Sequence, residues 1–182
     1  YDNAIYHITQ KGNNGQVLFK KTIDYERMLS LMHKYTHKYP CQLYNYCLMS
    51  NHVHMLIKVF IKEDTSKIMQ GLFQSFGKHF KEENGHSGYL YQGRFKSKII
   101  EKNDYFLECA RYIETNPLRA GIVTNLEDYS WSSYHFYAYG QSNPLLTTHP
   151  LYTALGAENE RKKLYRDYVL TPRKFEKLSN LS

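Results

Sequence analysis

The chain has 182 residues, 42% of them hydrophobic and 23% charged, enough for one soluble domain, or one domain with a tail, to fold without staples. Lys and Arg number 24 against 17 Asp and Glu, a net charge of +7, and 18 tyrosines lift the aromatic share to 15%. A nucleic-acid partner therefore ranks ahead of a membrane surface, since cations hold phosphates and surplus rings stack bases. Cys41, Cys47 and Cys109 form no CxxC pair and leave an odd thiol under any pairing. That excludes a disulfide scaffold and points to a reducing compartment, the cytoplasm. No apolar run approaches the ~20 residues of a membrane span, and no secretory leader is expected.

In chain order, Ile5 to Thr9 reads as a short strand that breaks at the turn-forming Lys11-Gly12-Asn13-Asn14-Gly15. From Asp24, residues Tyr25, Met28, Leu29, Met32, Tyr35 and Tyr39 recur at helical spacing until Pro40. Leu43 to Met49 and His52 to Val59 both alternate and flank Ser50-Asn51, which predicts a hairpin. Ser66 is a candidate N-cap for a helix carrying Ile68, Met69, Leu72, Phe73, Phe76 and Phe80 on one side and ending near Asn84-Gly85. A loop from Gly88 leads to a strand over Lys96 to Ile100, and Asn103 or Asp104 then caps a helix that must stop near Asn116, because Pro117 disfavours the α region before it. The order β α β β α β α predicts an α+β fold, a split βαβ antiparallel sheet with helices on one face and the other face left for function. Residues 1–140 are read as one domain, the catalytic one under the resemblance given below, and 141–182 as a partly helical C-terminal extension.

His52-Val53-His54 opens a strand, so both imidazoles share one face while Val53 points into the core. Two such donors can begin a metal site, or arise by chance among nine histidines. Tyr112 and Asn116 lie four apart on the last helix, hence on one side of it. If that helix crosses the functional face, Asn116 completes a two-His, one-oxygen site and Tyr112 stands beside the activated phosphate. Otherwise Tyr112 packs and Asn116 only closes a helix. A phenol attacking a phosphodiester would leave a phosphotyrosine link, consume no water and remain reversible by a 3′-hydroxyl, which suits strand transfer.

Four motifs appear in order: Tyr6-His7-Ile8-Thr9 with Lys11-Gly12-Asn13; Met49-Ser50-Asn51-His52-Val53-His54; Tyr91-Gln92-Gly93-Arg94-Phe95-Lys96-Ser97; and Arg111-Tyr112-Ile113-Glu114-Thr115-Asn116-Pro117-Leu118-Arg119-Ala120-Gly121. Together they closely resemble the REP-associated tyrosine transposases, bacterial relatives of single-tyrosine HUH insertion-sequence transposases, from about Tyr6 to Trp131. The resemblance implies a ferredoxin-like fold, cleavage of single-stranded DNA through a covalent 5′-phosphotyrosine, a divalent cofactor (Mg2+ or Mn2+) and a REP-like, hairpin-forming palindrome as partner. It implies Tyr112 as the nucleophile, with His52, His54 and Asn116 as metal ligands. Lys11 stands where the family pattern has Arg, which keeps the charge and loses the bidentate fork.

The DNA-binding set is Lys11, Asn13, Tyr91, Gln92, Arg94, Lys96 and Arg119, with Lys98 and Arg111 as further cations and Tyr89 and Phe95 as further rings. Tyr25, Tyr35 and Tyr39 are assigned to packing, and Trp131, with Tyr129 and Tyr134, to an extension docked on the domain. A monomer and a homodimer are both compatible with this pattern. The residues alone also admit a non-catalytic single-stranded RNA- or DNA-binding module, or a metal-dependent hydrolytic nuclease; only the tyrosine mechanism makes a protein–DNA adduct.

Overall fold

Four segments with β-branched and aromatic alternation pair into one sheet in a computed structural model that describes residues 1–101 and 103–172. They are β1 (Ala4–Lys11), β2 (Cys41–Met49), β3 (His52–Val59) and β4 (Lys96–Ile99), in the order β2-β3-β1-β4. Every neighbouring pair is antiparallel, with Thr9 opposite His54 and Lys11 opposite His52. With α1 (Thr22–Lys38) between β1 and β2, and α2 (Lys62–Asn84) between β3 and β4, this is the ferredoxin-like split βαβ arrangement. Gly12 must be glycine where the chain leaves β1, since a Cβ there would lie 2.0 Å from the Gln16 carbonyl oxygen. The Gly12 N–H donates to Asn51 O at 2.8 Å, tying that turn to the tip of the β2–β3 hairpin.

Alternation sends Ile8, Leu48, Val53, Met55, Ile57 and Val59 to one face, where they meet Met28, Leu31 and Met32 of α1 and the apolar side of α2. The helix α3 (Asn103–Glu114) lies against the opposite face, its Phe106, Cys109, Ala110, Tyr112 and Ile113 packed on Cys47, Met49 and Leu56. The second face is thus a cleft under a helix and not an open surface. The register shifts by one residue between Leu43 and Asn45 of β2, a bulge that sends Tyr44 as well as Asn45 toward α3.

One local reading changes. Ser66 lies inside α2, which starts four residues earlier; its first N–H, that of Lys62, donates to Asp2 Oδ1 at 2.8 Å, a cap supplied from 60 residues away. The helix before Pro117 stops at Glu114, close to Asn116 as expected, and Pro117 itself takes an early position in the single turn α4 (Asn116–Arg119), where its missing N–H is not needed. The segment beyond folds as α5 (Tyr134–Tyr139), α6 (Pro150–Thr153) and α7 (Glu158–Leu170) around Tyr134, Tyr137, Tyr152 and Tyr165. The side chains of Asn103 and Asp104, expected as caps, and residues 173–182 of the extension lie outside what the structure describes.

A buried polar knot anchors α3. Glu114 accepts from Asn45 Nδ2 at 2.8 Å, Ser133 Oγ at 2.5 Å and the Tyr165 hydroxyl at 2.7 Å. Burial pushes its carboxyl up to about 7, against those three hydrogen bonds. Trp131 stacks on Tyr25 at 4.5 Å, holding the segment after α4 to α1. No described helix is long and apolar enough to cross a membrane, and the three cysteines are unpaired.

Candidate active site

The β1–β3 pairing and the placement of α3 converge on a cavity of about 280 Å³ lined by Lys11, His52, His54, Gln92, Tyr112 and Asn116, among others. His54 is buried; its Nδ1 lies 2.9 Å from His7 Nε2 and 3.3 Å from Thr9 Oγ1. His52 Nδ1 lies 2.7 Å from Asn51 Oδ1, which can only accept, so that nitrogen donates and Nε2 carries the lone pair. The two imidazoles stand perpendicular with centroids 4.9 Å apart. Asn116 Nδ2 donates back to Tyr112 O at 2.7 Å and Ile113 O at 3.3 Å, which turns Oδ1 the other way.

Burial, reinforced by the Lys11 charge, lowers His52 to about 4; burial also holds His54 well below the ordinary imidazole value, with the charges of His7, His52, Lys11 and Arg119 added. Both rings are therefore neutral near pH 7, the state a metal ligand needs. Each has one nitrogen fixed by a neighbouring side chain, the outer support typical of ligating histidines. Two imidazoles and one amide oxygen fit a divalent ion that keeps positions for water or phosphate oxygens. Among the described residues no three His, Cys, Asp or Glu side chains group as a metal site; the third donor here is an amide.

Tyr112 is 8% exposed. The rings of His7 and His54 meet it edge-on at 6.0 and 5.7 Å, and the Arg119 guanidinium lies 4.6 Å from its centroid. Phenol, imidazoles, amide and the Lys11 cation thus share one small space, with the Arg119 guanidinium against the phenol ring. Such a set can bind a phosphodiester and present a hydroxyl to it.

The other sequence-derived residues divide. Lys11 and Gln92 line this cavity, Arg119 lies against the ring of Tyr112, and Lys96, opposite Thr9, shares the cavity's face of the sheet. Arg94 and Tyr91 line a different groove. Tyr91 is half-buried with its hydroxyl on Phe73 O at 3.0 Å, whereas Tyr89 is 86% exposed. Asn13 sits in a short 3-10 turn and donates its N–H to Leu90 O. Arg111 is corrected: it is 3% exposed and points away from the cavity, donating to Val169 O at 3.1 Å and Thr171 O at 2.8 Å. The roles of His7, Thr9 and Asn51 were not read from the sequence. Alternation puts His7 and Thr9 on one face of β1, but only strand pairing shows that His54 faces them.

A family model described as "Transposase IS200 like" matches residues 1–116. A solved structure of a REP-associated tyrosine transposase bound to a REP hairpin superposes with a TM-score of 0.66 at 18% identity, covering 82% of this chain and 87% of that one. A second solved structure, of a candidate transposase from Deinococcus radiodurans R1, gives a TM-score of 0.44 at 15% identity over 63% of this chain and 92% of that one. No curated protein matches the sequence.

Proposed function

The chain belongs to the IS200-like transposase family, and from that premise we propose that it cleaves and rejoins single-stranded DNA at hairpin-forming repeats through a covalent 5′-phosphotyrosine on Tyr112. The observation that carries this reading is the shared cavity of Tyr112, His52, His54 and Asn116. The fold likeness to a REP-associated transposase, together with the four sequence motifs, favours a REP-like palindrome as substrate.

In this reading Lys11 and Arg119 draw the scissile phosphate into the cavity, and the ring contacts of His7, His54 and Arg119 aim the phenol. His52, His54 and Asn116 would hold Mg2+ or Mn2+. When bound, the ion neutralises the phosphate and lowers the barrier to attack. The Tyr112 phenol gives up its proton as its oxygen bonds to phosphorus, the P–O3′ bond breaks, and the 3′-oxygen takes up one proton to leave as a hydroxyl, so the step is proton-neutral overall. No water is consumed, so attack by a 3′-hydroxyl on the phosphotyrosine restores a phosphodiester.

Incubating labelled single-stranded hairpins with the protein and Mn2+, then running a denaturing gel, tests the reading. The expected result is a slow protein–DNA band with wild type and none with Tyr112→Phe, while hairpin affinity stays within about twofold because the ring is kept. Cleavage that survives Tyr112→Phe without an adduct makes water the nucleophile and the protein a hydrolytic nuclease.

A further inference from the structure

Behind the catalytic cavity a third histidine meets one of the two that line it. His7 lies on β1 two residues before Thr9, the partner of His54 across the sheet, so alternation turns both side chains toward the His54 ring. His7 Nε2 is 2.9 Å from His54 Nδ1. The ring planes are inclined by only 14° and the centroids are 5.1 Å apart, farther than the nitrogens by two ring radii. The rings therefore meet nitrogen to nitrogen and nearly in one plane, the alignment of a straight N–H···N hydrogen bond.

One proton occupies that contact, since two N–H groups or two bare lone pairs facing each other at this distance repel. Both rings are buried, at 2% and 3% exposure, with the Lys98 charge also acting on His7, so each holds a single ring proton. Where His7 supplies the shared proton, His54 keeps its own on Nε2, the nitrogen left for the cavity, and that nitrogen is no ligand. Where His54 Nδ1 supplies it, Nε2 offers a lone pair. The His7 lone pair is the best acceptor for that Nδ1 proton, in plane at 2.9 Å, whereas Thr9 Oγ1 stands at 3.3 Å.

His7 itself is not a ligand. It does not line the cavity, and among the described residues it does not join His52 and His54 as a three-donor group. Its place relative to His54 matches that of Asn51 relative to His52, whose Nδ1 is held at 2.7 Å. Its ring also meets Tyr112 edge-on at 6.0 Å, so one side chain braces both a candidate ligand and the phenol.

Resting on the metal-dependent reading above, we propose that His7 is a positioning residue for the cation site: by accepting the Nδ1 proton of His54 it presents His54 Nε2 to a divalent ion, and it touches neither the ion nor the phosphate. With Asn51 behind His52, both imidazoles then offer the same nitrogen to the cavity.

Mn2+ binding in the absence of DNA, read from the loss of the free-ion paramagnetic resonance signal, tests this, with adduct formation on labelled hairpins run in parallel. His7→Phe keeps a ring beside Tyr112 and removes the acceptor; it should weaken Mn2+ binding by about 10–100-fold, the usual cost of losing such a partner. His7→Gln restores an acceptor oxygen and should bring affinity back to within about threefold of wild type. In wild type loaded with diamagnetic Zn2+, nitrogen–proton correlation spectra should place the His7 proton on Nδ1 and leave Nε2 as acceptor, a readout that needs no buried variant to fold. Equal Mn2+ affinity in His7→Phe and wild type, a loss that His7→Gln does not recover, or a proton on His7 Nε2 with Zn2+ bound overturns the proposal. An absence of Mn2+ binding in wild type overturns it together with the metal. The expected affinities with no adduct on any hairpin uphold His7 and sink the tyrosine chemistry, whereas Mn2+-dependent adducts from wild type and His7→Phe alike, at equal Mn2+ affinity, do the reverse.

Discussion

The two faces of the sheet are made by the same four strands and bury different things. Toward α1 and α2 the strands present Ile8, Leu43, Leu48, Val53, Met55, Ile57 and Val59, an unbroken apolar layer. Toward α3 they present His7, Thr9, Asn45 and His54 among Cys47, Met49 and Leu56. Buried polar groups cost free energy unless paired, and here they are paired: His7 with His54, and Asn45 with Glu114. Alternation thus divides the work by parity, odd residues of β3 packing on α1 and α2 while the even His52 and His54 line the cavity and Leu56 packs under α3. A slip of one residue in β1–β3 pairing would exchange the two, and the apolar layer is what prevents it.

That division can be broken from either side. The largest effect is expected on the cleft face: His52→Ala should lower Mn2+-dependent cleavage by roughly a thousandfold or more, with thermal unfolding shifted by only a few degrees, because the ring is partly exposed and two remaining donors hold a hard cation poorly. Asn116→Ala should fall between this variant and wild type, as water can replace one amide oxygen. Equal cleavage in EDTA and in Mn2+ would remove the metal from the proposal. On the apolar face, Met55→Ala should cost about 2–5 kcal/mol in urea unfolding and leave cleavage per folded molecule unchanged. A large loss of specific activity there would show that the faces are coupled.

Acid should act on the cleft face. His149 stacks on Phe106 of α3 at 3.5 Å, and its Nδ1 accepts the Leu151 N–H at 3.1 Å, capping α6. Burial, with the Lys58 charge added, lowers its pKa to about 4. The unfolded chain, near 6.5, therefore binds the proton first, so stability present above pH 6.5 is lost as pH falls toward 4, by on the order of 1–3 kcal/mol. His149→Asn keeps a capping oxygen without a titrating ring and should flatten this limb in pH-dependent melting. An unchanged slope would move the acid sensitivity elsewhere.

Elements whose reasons are local were legible in the sequence. The spans of β3 and α1, the Val53/His54 parity and the Tyr112–Asn116 spacing all follow from period and punctuation. What escaped depends on partners distant along the chain. Asp2 caps α2 from 60 residues away, so Ser66 looked like the start. The β2 bulge leaves no mark in the alternation of Leu43 to Met49. His7 gains a role only when β1 lies beside β3. Glu114 reads as one helical acid until Asn45, Ser133 and Tyr165 meet it. Arg111, next to Tyr112 in sequence, points some 100° away around the helix and clamps the end of α7.

That contrast between neighbours on α3 sets the smallest and most discriminating prediction. Arg94, on the rim of the groove beside α2, and Lys96, opposite Thr9 on β4, are both exposed, so on the proposed DNA reading Arg94→Gln or Lys96→Gln should each reduce the slope of log affinity against log salt by ~0.7, the value for one phosphate contact on a single strand. The affinity loss at moderate salt should be a few-fold only. Arg111→Gln removes just as much charge but from a site bonded to Val169 O and Thr171 O. It should leave the slope unchanged and lower the melting temperature instead, because two carbonyls lose a charged donor. Anisotropy titrations of hairpin DNA at several salt concentrations separate the two cases. A flattened slope in Arg111→Gln would place DNA on the α3–α7 side, and an unchanged slope in both surface variants would place it away from β4.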